Sequence, residues 1–221
     1  MSLLRILIAD DHDVARKGIR SLLEAHPGWE ICGEAKDGRE AVEYANRAKP
    51  NLVLLDIGMP GLNGLDAARQ IHAACPDIRI LILTMHDTEQ LVREVLAVGA
   101  RGYLLKSDSG RDLVAAVEAL QNHRTFFTTR VAQLVLDGYL HPSNGDSNGN
   151  GHSGRHLLTP REREVIQLLA EGKTTKEVAV TLDLSVKTAE THRTNLMRKL
   201  DLHSVADLTL YAVRNSIVQI Y

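Results

Sequence analysis

Apolar positions over residues 1–123 switch between two periods. Short apolar runs predict strands at Arg5–Ala9, Trp29–Ala35, Leu52–Asp56, Ile78–Thr84 and Gly102–Leu105. Between them the spacing turns helical, predicting helices over Asp13–Ala25, Arg39–Ala48, Leu65–Ala74, Thr88–Val98 and Ser109–Asn122. The first of these carries Val14, Ile19, Leu22 and Leu23 at helical spacing. Leu52-Val53-Leu54-Leu55 is apolar throughout, the pattern of a strand buried on both faces. Pro50, Pro76 and Gly99 end helices, and Asp87 with Gln90 forms a capping box ahead of the fourth. Five βα units in succession predict a doubly wound, five-stranded parallel sheet with helices on both faces.

Thr129–Leu140 reads as a further helix. His141–His156 contains Pro-Ser-Asn-Gly-Asp-Ser-Asn-Gly-Asn-Gly, which cannot bury apolar surface and predicts a flexible linker with an r.m.s. reach of roughly 20–25 Å. From Leu157 onward only helical periodicity remains. Thr159-Pro160-Arg161-Glu162 supplies an N-cap, a helix-opening proline and a capping-box Glu ahead of Val165, Ile166, Leu168 and Leu169, and Gly172 ends that helix. Thr174 and Glu177 box the next helix, Thr175–Leu182. A tight turn at Asp183-Leu184-Ser185 leads into a helix to Leu200, and a fourth runs Ser204–Asn215. Two short helices joined by a tight turn fit a helix-turn-helix in an all-α, four-helix domain. The predicted division is 1–125, a 126–156 linker region and 157–221.

Charge supports this division. From Arg155 onward there are ten Lys/Arg against eight Asp/Glu, net +2, and the rest carries 16 against 20, net −4. Two domains with different partners are expected. The chain is 44% hydrophobic and has no apolar run near the roughly 20 residues of a membrane helix. Its start lacks the pattern of a signal peptide. Cys32 and Cys75 are too far apart in sequence for a metal motif, and the ten His residues show no ligand spacing, so a reducing, cytoplasmic setting without zinc is expected.

Chemistry gathers at the predicted strand ends. The first strand runs into Asp10-Asp11, the third ends in Asp56, the fourth in Thr84 and the fifth runs into Lys106. In an open α/β sheet these ends point one way and frame the ligand site. Three mutually repelling carboxylates call for a hard cation such as Mg²⁺. Lys106 neutralises a phosphoryl oxygen and the Thr84 hydroxyl bonds another. A carboxylate nucleophile beside a metal and a cation matches phosphoryl transfer to Asp56. Taken singly, the bland readings are a helix start for Asp10-Asp11, a turn cap for Asp56, a strand residue for Thr84 and a solvated cation for Lys106.

Asp10-Asp11, Val53-Leu-Leu-Asp-Ile-Gly-Met-Pro-Gly61, Thr84 and Tyr103-Leu-Leu-Lys106 resemble the receiver domain of bacterial two-component response regulators, over residues 1 to about 123. The resemblance implies a flavodoxin-like fold, Asp56 as phosphoacceptor from a sensor histidine kinase, Mg²⁺ on Asp11, Asp56 and the Gly58 carbonyl with Asp10 acting largely through water, and Thr84 with Tyr103 as the switch pair. It also implies that Gly58 and His86 tune the lifetime of the phosphate. The sequence departs from the family in having Ser107 rather than Pro after Lys106, so a trans bond is expected there, and Met85 rather than a small residue after Thr84.

In the third C-terminal helix, 100° per residue puts Val186, Ala189, Leu196 and Leu200 inward and Lys187, Thr188, Thr191, Thr194, Asn195 and Arg198 outward. Ser185–Leu200 carries Lys187, Arg193, Arg198 and Lys199 against Glu190, net +3. The bland reading is a solvated amphipathic face; the sharp one is a recognition helix in the major groove of double-stranded DNA. Leu158-Thr-Pro-Arg-Glu-Arg-Glu-Val165 and Ser185-Val-Lys-Thr-Ala-Glu-Thr-His-Arg-Thr-Asn-Leu-Met-Arg-Lys-Leu200 are similar to the LuxR-type DNA-binding domain. Receiver plus this domain is the NarL/FixJ class, implying a transcription factor, not an enzyme, that dimerises on phosphorylation or on DNA, with no membrane. The implied DNA contacts add Glu190, His192, Arg193 and Lys199 to the outer face. A regulator steered by a partner protein without phosphate is the alternative, against which the intact Asp11, Thr84 and Lys106 argue.

Overall fold

The computed structural model describes residues 3–85, 88–108, 110–128, 131, 133, 158–215 and 217–218. The predicted helix Thr129–Leu140 falls almost wholly, and the predicted linker wholly, outside them. The chain divides into two units, Met1–Gly145 and Asp146–Tyr221. Among the described residues no helix is long and apolar enough to cross a membrane.

The first unit alternates β1 (Leu4–Ala9), α1 (Asp13–Glu24), β2 (Trp29–Ala35), α2 (Gly38–Ala48), β3 (Leu52–Asp56), α3 (Gly64–Ala74), β4 (Arg79–Thr84), α4 (Glu89–Ala97), β5 (Gly102–Leu105), α5 (Gly110–Gln121) and β6 (Phe126–Phe127). The sheet is parallel throughout, in the order β2-β1-β3-β4-β5-β6. It has six strands rather than the five predicted. The extra one is only two residues, Phe126 and Phe127 pairing with Gly102 and Tyr103, too short to show any period.

Alternation sends successive strand residues to opposite faces. Leu7, Val53, Leu55, Ile80 and Ile82 pack with α2, α3 and α4, whereas Ile6, Ile8, Leu54, Leu81 and Leu83 pack with α1 and α5. This double burial explains the unbroken apolar run of β3, all five of whose residues are buried. Helix α1 departs from expectation. Leu23 is buried, but Val14 and Leu22 are 85% and 45% exposed. At 100° per residue Val14 lies opposite Leu23, and the inward stripe is instead Arg16, Ile19 and Leu23. Thr88 caps α4 by accepting from the Leu91 amide, in place of the predicted Asp87, which lies outside the described residues.

The second unit is helical: α6 (Pro160–Ala170), α7 (Thr175–Thr181), α8 (Val186–Lys199) and α9 (Val205–Arg214). Both predicted capping boxes form, Thr159 with Glu162 and Thr174 with Glu177, each satisfying two otherwise orphaned donors. Ser185 and Ser204 cap α8 and α9. The core joins Val165, Ile166, Leu168 and Leu169 to Val178, Ala189, Leu196, Leu208 and Ala212. Val186 does not belong to it. As the opening residue of α8 it is 40% exposed.

Candidate functional site

The sheet reverses its winding between β1 and β3, and at this switch point the carboxyl ends of adjacent strands leave a crevice. Asp10 follows the last residue of β1 and Asp56 is the last of β3; both are buried. Asp10, Asp11, His12 and Asp56 each offer a ligand atom, and these atoms lie within 4.8 Å of one another. Lys106 Nζ stands 2.9 Å from Asp10 Oδ2 and 2.9 Å from Asp56 Oδ2. At these distances the ammonium counters the charge of both carboxylates. Asp10 Oδ2, Asp11 Oδ1 and Asp56 Oδ2 are buried atoms held by ion-pair contacts, with Lys106 for Asp10 and Asp56 and with His12 Nδ1 for Asp11. Three such oxygens around one point form a hard donor set that fits a cation of the Mg²⁺ type.

The electrostatics follow from this crowding. Burial pushes the Asp56 carboxyl above its ordinary range; Lys106 opposes the shift, the Asp10 charge adds to it, and the Gly58 backbone amide lowers it slightly. Burial pulls Lys106 down, yet Asp56 and Asp10 together hold it above the ordinary lysine value.

Backbone contacts fix these groups. The Lys106 amide donates to the Thr84 carbonyl at 2.7 Å, tying the fully buried Thr84 to Lys106. The Asp108 carboxylate accepts from the Leu105 amide at 2.9 Å and closes the turn after β5. Among the described residues no peptide bond is cis, in line with Ser107 after Lys106. Gly64 makes room for β3: a Cβ there would sit 2.0 Å from the Asp56 carbonyl oxygen. Tyr103 is fully buried, with Phe127 as its register partner. Met85 is 59% exposed, and His86 lies outside the described residues. Sequence reasoning passed over three contributors. His12 donates its amide to Asp10 Oδ1 at 2.8 Å, and its Nδ1 lies 2.8 Å from Asp11 Oδ1. Arg16 donates to the Asp10 carbonyl, and Asp108 braces the Lys106 turn. Only Arg16 left a signal, being spaced i, i+3, i+7 with Ile19 and Leu23.

In the second unit, Lys187, Thr188, Glu190, Thr191, Thr194, Asn195 and Arg198 are exposed on α8. His192, Arg193 and Lys199 are half-buried. Arg193 donates to the Thr175 hydroxyl at 3.1 Å, and Lys199 Nζ pairs with Glu162 at 2.8 Å. Two of the four cations counted in the +3 helix are thus engaged with other helices of their own domain or with a residue capping one, while Arg198 donates to Asn195 on the same helix at 3.2 Å.

Comparison with known proteins agrees with both units. Residues 6–118 match the model "Response regulator receiver domain" and residues 156–212 match "Bacterial regulatory proteins, luxR family". The chain belongs to the two-component response regulators of the NarL/FixJ class. It is 36% identical to the transcriptional regulatory protein LiaR of Bacillus subtilis over 98% of this chain and 100% of that one. It is 35% identical to the oxygen regulatory protein NreC of Staphylococcus carnosus, over 97% of this chain and 99% of that one. Among solved structures it is similar to the RcsB response regulator of Salmonella typhimurium, with TM-score 0.59 and 28% identity over 97% of this chain and 100% of that one. A LuxR-family response regulator from Aurantimonas matches at TM-score 0.60 and 34% identity, over 63% of this chain and 99% of that one. The chain is a DNA-binding transcriptional regulator of a two-component system, not an enzyme.

Proposed function

We propose that Asp56 is the phosphoacceptor and that its phosphorylation by a sensor histidine kinase controls binding of α8 to double-stranded DNA. The observation that carries this reading is the convergence of the Asp10, Asp11 and Asp56 carboxylates and the Lys106 ammonium on one crevice at the strand ends. An Asp56 carboxylate oxygen forms the new P–O bond as the P–N bond to the kinase's phosphohistidine breaks. Lys106 neutralises a phosphoryl oxygen, and the Thr84 hydroxyl donates to another. Asp10, Asp11, Asp56 and the Gly58 carbonyl would hold Mg²⁺, which when bound supplies charge neutralisation to the transferring group. Thr84 and Tyr103 then report the change along β4 and β5.

The output is dimeric binding to DNA through Lys187, Thr188, Glu190, Thr191, His192, Thr194, Asn195 and Arg198, with Arg193 and Lys199 at the edge of that face. A solved structure of two RcsB dimers bound to two parallel DNAs shares 26% identity with this chain at TM-score 0.59, which supports the dimer. The proposed division is a receiver at 1–125, a linker region at 126–156 and the DNA-binding domain at 157–221.

Incubation with a small-molecule phosphodonor and Mg²⁺, read by intact mass, tests the acceptor. Wild type should gain one phosphoryl group and Asp56→Asn none. A gain that persists in Asp56→Asn refutes the assignment.

A further inference from the structure

The amino ends of the strands, opposite Asp56, carry a second charged cluster. Lys49 lies just before β3, Arg79 opens β4, Arg101 precedes β5, and His123 and Arg124 precede β6. The register places Leu52 beside Arg79, Leu81 beside Gly102, and Gly102 beside Phe126. Strand spacing of about 4.8 Å therefore sets these cations side by side across four neighbouring strands. They line one cavity of about 770 Å³, within the range of small-molecule sites.

The row differs in its partners from the cations of the first unit that are held in ion pairs. Arg16, Arg20, Arg47, Arg69, Arg93 and Lys106 each pair with a carboxylate. Among the described residues Lys49, Arg79, Arg101 and Arg124 pair with none, although Asp77 also lines the cavity. Arg79 is half-buried, and its Nη2 lies 3.0 and 2.8 Å from the two ring nitrogens of His123, an imidazole rather than an acid. Helix carboxyl ends also reach this side of the sheet and favour cations there. Arg5 uses that effect, donating to the Ala48 carbonyl at 2.7 Å; among the described residues no such bond is formed by the four side chains of the row.

We propose that this cavity binds a phosphorylated small molecule, its phosphates bridging Arg79, Arg101 and Arg124. Guanidinium groups bind phosphate through paired N–H donors, and a row of them at strand spacing suits several linked phosphates better than a single one. The site is independent of the phosphoacceptor reading, because no residue of that site lines the cavity.

Titration calorimetry of the full chain with inorganic tripolyphosphate, without divalent ions and at fixed ionic strength, tests it. Binding is expected in wild type, at least tenfold weaker in Arg79→Gln/Arg101→Gln, and unchanged in Lys187→Gln/Arg198→Gln. Far-UV circular dichroism checks that each variant is folded. If the double variant does not fold, the exposed Arg101→Gln alone should weaken binding severalfold. The proposal fails if wild type binds no tripolyphosphate, if sulfate at the same ionic strength binds equally well, or if the arginine variants bind like wild type. It fails also if only the Lys187/Arg198 variant loses binding, which would move the anion to the DNA-binding domain. Preference for short duplex DNA over tripolyphosphate at the arginines would replace the small molecule with nucleic acid.

Discussion

Arg16 Nη1 donates to the main-chain carbonyl of Asp10 at 2.7 Å. Arg16 is only 5% exposed, and its Nε also bonds Glu34 Oε2 at 2.8 Å. A buried guanidinium thus pins the backbone from which Asp10 and Asp11 project. Replacing it by Met keeps the apolar stem but leaves that carbonyl without a donor and Glu34 with Arg20 alone. Unpaired buried groups cost about 1–3 kcal/mol each. Arg16→Met is expected to lower unfolding free energy by about 2 kcal/mol in urea titrations, and to slow phosphorylation by a small phosphodonor more than Arg20→Met does.

Gly64 sets the other wall. A Cβ there would stand 2.0 Å from the Asp56 carbonyl oxygen, which is backbone and cannot swing aside. Helix propensity favours Gly64→Ala by roughly 1 kcal/mol, so overlap and propensity oppose each other. At such a separation overlap wins. Gly64→Ala should be destabilised by about 2 kcal/mol and should lose phosphorylation at Asp56. Gly18, which has open space around its Cβ position, is the control, and Gly18→Ala should be neutral or stabilising.

Asp56 is ionised at a cost. Its carboxyl is held above the ordinary range chiefly by burial, with Lys106 opposing and Asp10 adding. The native state then binds the proton more tightly than the unfolded chain. Stability falls as pH rises from the ordinary value near 3.9 through the raised native value, and stays lower above it. In EDTA at pH 7, Asp56→Asn should therefore be more stable than wild type by about 1 kcal/mol, and the gap should close near pH 4. Saturating Mg²⁺, about 100 times its Kd, should return about 2.7 kcal/mol to wild type and less to the variant. Chemical denaturation at the two pH values, with and without Mg²⁺, checks both; an Asn variant less stable than wild type in EDTA at pH 7 contradicts the argument.

Strands buried on both faces and helices closed by Pro, Gly or capping boxes were legible, because each leaves several residues of pattern. So were Asp10, Asp56, Thr84 and Lys106, since the end of an apolar run is easy to place. Phe126 and Phe127 were not, because two residues carry no period. Val14 and Val186 misled, because hydrophobicity alone says nothing of which side of a helix faces a neighbour. Lys199 misled in the opposite sense, and Arg16 was passed over for the same reason. A cation reads as solvent-facing until the carboxylates or carbonyls that receive it, Glu34, Glu162 and Asp10, are brought close by the fold. The pairing of Lys199 with Glu162 spans 37 positions and no local rule contains it.

That pairing separates two roles on α8. Lys187, Thr191, Thr194 and Arg198 lie at i, i+4, i+7 and i+11, so they form one exposed stripe. Lys199 is committed elsewhere. Burial raises the Glu162 carboxyl, but bonds from Lys199 and Thr159 outweigh it and hold the group below the ordinary glutamate range. A depressed native pKa contributes stability above the unfolded value near 4.3 and loses it as pH falls through the native value. Lys199→Ala should cost about 1 kcal/mol at pH 7, and less once Glu162 is protonated in both states. Its effect on DNA should be small. Lys187→Ala and Arg198→Ala should do the reverse, leaving stability within about 0.5 kcal/mol and weakening DNA binding. In the proposed dimeric complex each substitution removes one cation facing the phosphates from both copies, so the slope of log affinity against log salt should become shallower by about 2. Fluorescence anisotropy across a salt series, beside urea unfolding of the same proteins, checks the division. A salt slope altered by Lys199→Ala as much as by Lys187→Ala would mean that the Glu162 pair opens on DNA and that the ammonium turns to the phosphates.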